Sequence, residues 1–276
     1  MTDCGAQGTT GRVGGVDGAA GGWVMAITGA RNGSPVEFSV WVSFAELWAE
    51  ARRQSLAAVG IDMPIGLPSS SQRLADEQAR EMLGPRRSSL FWSPPQAALS
   101  ASGFEAANQA SRDHLGKGVS KQAFNLLPKI REVRSVLAPT EFEASAAPRA
   151  AEVHPELSFA VMAAVLHANV GPDRIGEPTS SDGEPTPSRP MTHPKRIQAG
   201  IAERLALLGS CFTGITESAV LSPLAGPPHP ALDDLLDAAA AAWTARRIAA
   251  DDAEHLGAVD GHIPLDEAGF PLTIVV

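Results

Sequence analysis

The stretch VGGVDGAAGGWVMAITG, residues 13–29, decides the fold. Val13 to Val16 is a short apolar run that ends in Asp17, and Gly22 to Thr28 is a second run rich in Val, Ile and Trp. Runs of this kind bounded by glycine read as buried strands. A third run, Val36 to Val42, follows across the turn formers Gly29, Asn32, Gly33 and Pro35, so three sequential strands joined by hairpins are predicted. Ser43 then offers an N-cap with Glu46 three residues on, the spacing of a capping box. Phe44, Leu47, Trp48 and Ala51 recur at helical intervals behind it. Leu56 to Ile61 is a further buried strand; it ends in Asp62 and is stopped by Pro64, Gly66 and Pro68.

Outward from this block, residues 1–12 have no period and are expected to form a disordered leader before a domain spanning 13–276. From Ser71 to Leu137 the pattern is helical, broken by a loop from Gly84 to Pro95 and a turn near Gly116 and Gly118, which predicts a helical insertion over about 69–148. A strand at Ala150 to Val153 and a helix from Pro155 to about His167 come next, with proline at the first helical position where its missing N–H costs nothing. Residues 171–194 hold six prolines and almost nothing apolar, the composition of a mobile loop. Helices over 195–208 and 233–250 follow, and the tail from His262 to Val276 reads as two strands around a turn at Asp266 to Gly269. Three strands, helix, strand, helical insert, strand, helix, helix is the order of a ribonuclease H-like α/β fold, a mixed sheet flanked by helices.

Composition narrows the function. A chain with 44% hydrophobic and 19% charged residues buries a sizeable core. Its net charge of -9 excludes the broad basic surface that drives nonspecific nucleic-acid binding, so any such contact must be local. Cys4 and Cys211 supply neither a disulfide framework nor a thiolate zinc site, which fits a reducing cytoplasm. No export segment is visible, and no apolar run approaches the ~18 residues of a membrane span.

The acids carry the chemistry. Asp17 and Asp62 end buried strands, Glu152 closes the short strand after Ala150, and Asp233, Asp234 and Asp237 open an alanine-rich helix with all three on one side. Carboxylates gathered on one point repel unless a cation joins them, and hard cations such as Mg2+ or Mn2+ prefer carboxylate oxygen. Each acid also has an ordinary reading: Asp17-Gly18 as a turn, Asp62 as a strand terminator, Glu156 and Asp233/Asp234 as first-turn acids favoured by the helix dipole. Asp237 stands a turn further in, where that benefit has faded. The metal-ligand set predicted is Asp17, Asp62, Glu152, Asp234 and Asp237, with His154 as an auxiliary acid-base or orienting group. Arg86, Arg87, Ser88 and Ser89 form a loop of phosphate-type donors, and Lys195 with Arg196 is a weaker candidate of the same kind.

Specific strings add a resemblance. Gly15-Val16-Asp17-Gly18 with Gly21-Gly22-Trp23, Ile61-Asp62-Met63-Pro64-Ile65-Gly66-Leu67-Pro68, Arg86 to Phe91, Gln122-Ala123-Phe124-Asn125, Glu152-Val153-His154-Pro155-Glu156, and Asp233 to Ala238 before Trp243 occur in one order. Together they closely resemble the family catalogued as domain of unknown function 429, from about Val13 to the C-terminus. Members look like ribonuclease H-like proteins and are predicted nucleases, so the resemblance implies metal-dependent hydrolysis of a nucleic acid or a small phosphodiester. One departure is that Thr192-His193-Pro194-Lys195-Arg196, behind the proline-rich insert, stands where members carry a Ser-Lys-Lys-Thr-like stretch. Two rival functions are a nucleotide-dependent phosphoryl transferase on the same core, weakened by the absence of a second glycine-rich phosphate loop, and a non-catalytic scaffold whose stability ignores divalent metal.

Overall fold

In the computed structural model, which describes residues 11–170, 188–217, 220 and 230–276, the quoted stretch forms β1 (Arg12–Ala19) and β2 (Gly22–Gly29). They pair antiparallel, and β2 pairs antiparallel with β3 (Val36–Trp41). After α1 (Phe44–Arg53), whose Ser43 cap accepts the Glu46 N–H at 3.3 Å, β4 (Ala58–Ile61) runs parallel to β1. Next to β4, and parallel to it, lies β5 (Arg149–Glu152). The result is a five-stranded mixed sheet of order β3-β2-β1-β4-β5 with β1 at its centre.

Strand alternation sorts the two faces. Trp23, Met25 and Ile27 point into the core shared with α1 and with α4 (Lys121–Val136), while Val24 and Ala26 point into the core under α7 (Leu232–Ala249). Helix α7 sits on β1 and β4 with its backbone. A Cβ at Gly15 would lie 2.1 Å from both the Ala238 carbonyl oxygen and the Ala242 nitrogen, and one at Gly60 would lie 2.7 Å from the Ala241 oxygen. Glycine in the strands and alanine in the helix are therefore two halves of one contact. Gly15 and Gly60 are register partners, and two residues further along the same face come Asp17 and Asp62. The far end of α7 is fixed by Arg246, whose guanidinium donates to the Gly29 carbonyl and the Thr28 hydroxyl, both at 2.8 Å.

The insertion comprises α2 (Leu74–Leu83), a 3-10 turn over Gly84–Ser89, a second over Gln96–Ser100, α3 (Phe104–Leu115), α4 and a third 3-10 turn over Pro139–Phe142. Gly116 ends α3 in the left-handed conformation, φ 68°, which glycine adopts without a Cβ penalty. Helices α5 (Pro155–Val170) and α6 (Gln198–Cys211) pack beside α7.

Two expectations at the chain's ends change. Arg12 belongs to β1, where it bonds Gln54 and Glu37, and the Gly11 carbonyl accepts the Ala30 N–H at 3.0 Å; residues 1–10 of the expected leader lie outside the described residues. The tail is not a hairpin over 262–276: β7 (Ile274–Val275) pairs with β6 (His255–Leu256), and the Asp266 turn is closed by one Leu265–Pro271 bridge. Pro264 and Pro271 lack the N–H donors a longer ladder needs, and the Asp266 carboxylate instead accepts the Ala268 and Phe270 N–H groups at 2.9 and 3.0 Å. Of the proline-rich segment, 171–187 lies outside the described residues, whereas Met191 is buried and the Arg189 N–H bonds the Ala160 carbonyl at 2.9 Å. Among the described residues no helix is long and apolar enough to cross a membrane.

Candidate metal centre

Asp17, Asp62 and Asp237 each present a carboxylate oxygen, and the three oxygens lie within 4.8 Å of one another. The register explains the first pair: β1 and β4 run parallel with Val16 opposite Ile61, so the next residue of each is an aspartate at the same end of the sheet. The glycine contact explains the third. Because α7 rests directly on Gly15, Asp237, one residue before Ala238, is delivered to the end of β1.

Burial and mutual repulsion dominate the electrostatics. Asp17 is 8% and Asp237 2% exposed, and Asp62 is half-buried. Burial first, then the charges of Asp62 and Asp237, push the Asp17 carboxyl well above the usual range. Burial and then Asp237 push Asp62 up to about 8; Asp237 rises to about 6, again through burial, against the lowering pull of Lys195. The Lys195 ammonium bonds Oδ2 of Asp237 and lies 3.7 Å from Oδ2 of Asp233. Oδ1 of Asp237 is buried and has no hydrogen-bond partner among the described residues. A divalent cation fits this donor set, since hard carboxylate oxygens converge, their charge is under-compensated and one buried lone pair is unused.

The other expected ligands do not join. Glu152 is the register partner of Ile61, one position short of the level of Asp62, and Arg73 donates to both its oxygens at 2.7 and 2.9 Å, while the Ile65 N–H donates to Oε2 at 2.6 Å. Its charge still reaches Asp62; its lone pairs are spent on a buried pair with Arg73, which also bonds Asp76. Asp234 caps its own helix, accepting the Ala231 N–H at 2.9 Å, so the dipole reading wins there. Glu156 is buried against Arg204.

His154 is half-buried beside the site. Burial lowers its pKa to about 4; the Glu156 charge pulls it back up, the Lys195 charge adds to the lowering, and the Ser89 backbone lies beside its ring. Nδ1 is sealed without a hydrogen-bond partner among the described residues. The end of the 84–89 turn and Lys195 are thus both neighbours of His154. Arg87 and Ser88 are exposed there, Arg86 is half-buried, and the Ser89 hydroxyl is turned inward to the Arg86 carbonyl at 2.7 Å. Lys195 is placed on a ligand carboxylate rather than free for phosphate.

Two residues escaped sequence reasoning. Lys129 of α4 packs over Gly18, where a Cβ would meet its Cδ at 2.8 Å, lies 4.2 Å from the Trp23 ring centre and donates to the Gly22 carbonyl. Burial lowers its pKa while Asp17 and Asp234 are near enough to oppose that. The signal for it was Gly18 itself, which leaves room for a long side chain beside Asp17. Arg73 had no such signal. A cleft of about 480 Å³ between α5 and α6, lined by Leu166, His167, Met191, Glu203 and Leu207, contains none of these acids.

No curated protein and no solved structure matches the chain. A family model described as "Protein of unknown function (DUF429)" matches residues 15–176 and 187–261, a span that holds Asp17, Asp62, Lys195 and Asp237, and the chain belongs to that family.

Proposed function

We propose that this protein is a divalent-metal-dependent phosphodiesterase of the nuclease class, built on a ribonuclease H-like fold, with Mg2+ or Mn2+ held by Asp17, Asp62 and Asp237. The observation that carries the reading is the convergence of three carboxylates within 4.8 Å, with one buried oxygen of Asp237 unused. The sheet order, with the central strand and its parallel neighbour each ending in a ligand and the last helix crossing them with a third, supports the fold. A bound cation would supply a Lewis acid for the phosphoryl oxygen and a water of lowered pKa.

The chain's own groups divide the remaining work. Asp17 and Asp62, side by side on rigid parallel strands, hold their oxygens in fixed geometry, and the close seating of α7 holds Asp237 against them. Rigid elements keep such a site to the sub-ångström tolerance that catalysis demands. Arg86 and Arg87 lie on the turn that ends beside His154, and their guanidinium groups suit non-bridging phosphate oxygens. A local basic turn on an acidic protein favours a short or structured phosphodiester over long duplex DNA.

Hydrolysis of a chromogenic phosphodiester and of short oligonucleotides with manganese tests the proposal. Asp17→Asn and Asp237→Asn should each lose most turnover, while Arg87→Ala should raise KM more than it lowers kcat. Activity that survives both aspartate substitutions would refute it.

A further inference from the structure

Lys195 stands on the segment that leads into α6, and its ammonium reaches the acid cluster from the open side, since its side chain is 35% exposed while that of Asp237 is 3% exposed. It bonds Oδ2 of Asp237 and leaves Oδ1 buried and unpartnered. The contact is not that of a solvated surface lysine. The same ammonium lies 3.7 Å from Asp233, and its charge is felt at Asp17 and at Asp62 as well as at Asp237. Three carboxylates and one lysine thus form a partly neutralised unit.

We propose that Lys195 is a tethered counter-ion of this unit, a positioning residue that acts through Asp237 and holds down the cluster's affinity for divalent cations. The inference rests on the metal reading above and adds to it a built-in competitor. A dication attracted by three carboxylates is at the same time repelled by a positive charge bonded to one of them. Two like charges a few ångströms apart in a partly buried site interact by several times the energy of a tenfold change in affinity, so removing the ammonium tightens cation binding by about tenfold or more. The lysine keeps the metal-free cluster from holding three uncompensated charges, and it keeps the site open to exchange when metal is present. A phosphate-binding role, the expectation from sequence, predicts a different pattern: loss of the charge would then weaken substrate binding and leave metal affinity unchanged.

Calorimetric titration of Mn2+ at about pH 8 into the wild type, Lys195→Met, Lys195→Gln and Lys195→Arg decides the matter, with circular dichroism confirming that each is folded. Lys195→Gln retains a donor for Asp237 without the charge, so it separates charge from position. The expected result is that Met and Gln both bind Mn2+ about tenfold or more tighter than wild type and that Arg stays within about threefold of it. If the wild type binds and the two neutral variants bind no tighter, the counter-ion proposal is overturned and the metal reading stands. If none of the four proteins binds, both fall.

Discussion

Gly15 is the position at which the fold and the site depend on the same close approach of helix backbone to strand. Gly15→Ala places a methyl carbon 2.1 Å from the Ala238 carbonyl oxygen and from the Ala242 nitrogen, and 2.7 Å from the Ala241 carbonyl carbon. Ordinary contact begins near 3.4 Å, and all three obstacles are helix backbone, so α7 must withdraw from β1 by about 1.3 Å. Alanine in place of glycine returns only about 0.5–1 kcal/mol by restricting the unfolded chain. Overpacking of a tight interior costs about 1–3 kcal/mol even where side chains can adjust, and here none is available to adjust, so a net loss of at least about 2 kcal/mol is expected. Gly14→Ala is the control: its methyl would meet the Leu56 Cδ1 at 3.0 Å, a side-chain tip that can turn aside. Urea unfolding of the two variants beside wild type measures the difference. Gly15→Ala should also blunt any stabilisation by manganese, because the same withdrawal carries Asp237 away from Asp17. Equal unfolding midpoints for the two alanine variants would refute the backbone-contact argument.

Two further outcomes follow from the buried charges. Asp17, Asp62 and Asp237 keep protons in the folded chain that they lose when unfolded, so the folded state binds more protons between about pH 4 and about 8. The metal-free protein should therefore lose stability as pH rises toward about 8, a trend clearest above about 6.5 because His154, lowered to about 4, contributes with opposite sign below that; melting temperatures across this range check it. Arg73→Met should cost about 3–5 kcal/mol in urea unfolding, since it strands Glu152 and Asp76 as unpaired charges at 5% and 1% exposure, whereas Arg12→Met, which breaks an exposed pair with Glu37, should cost under about 1 kcal/mol.

The strands and two of the three clustered acids were legible because both signals are local. Val13 to Val16 and Leu56 to Ile61 are continuous apolar runs, and an acid that ends each run has little choice but to sit at the end of a buried strand. Asp237 was legible for a different reason, lying too far into its helix for the dipole to explain it. Glu152 has the same local signature as Asp62, and nothing near it in sequence distinguishes the two. The difference is Arg73, 79 residues away at the N-cap of α2 in the insertion, and no periodicity links that arginine to β5. Lys195 and Asp237, 42 residues apart, pose the same problem, so a lysine that pairs with a site acid looked like one free for phosphate. Asp234 was assigned to the cluster by its neighbours, but its carboxylate turns back to the Ala231 N–H of its own helix.

The arginines of the insertion bear on how the molecule is put together. Arg73 enters from one side of the 69–148 segment to pair with Glu152 on the last strand of the sheet, and Arg134, from its other side, bonds Asp266 at 2.6 Å in the C-terminal turn. Both acids belong to the main body of the domain and both are buried, at 5% and 9% exposure. The body therefore lends its negative charges to a segment that lies between its strands in sequence, and neither part is electrically complete alone. Excising the insertion and joining the flanking chain would leave two carboxylates in the interior without counter-charges, so the segment is not a detachable module and its loss or exchange during descent would require both acids to change with it.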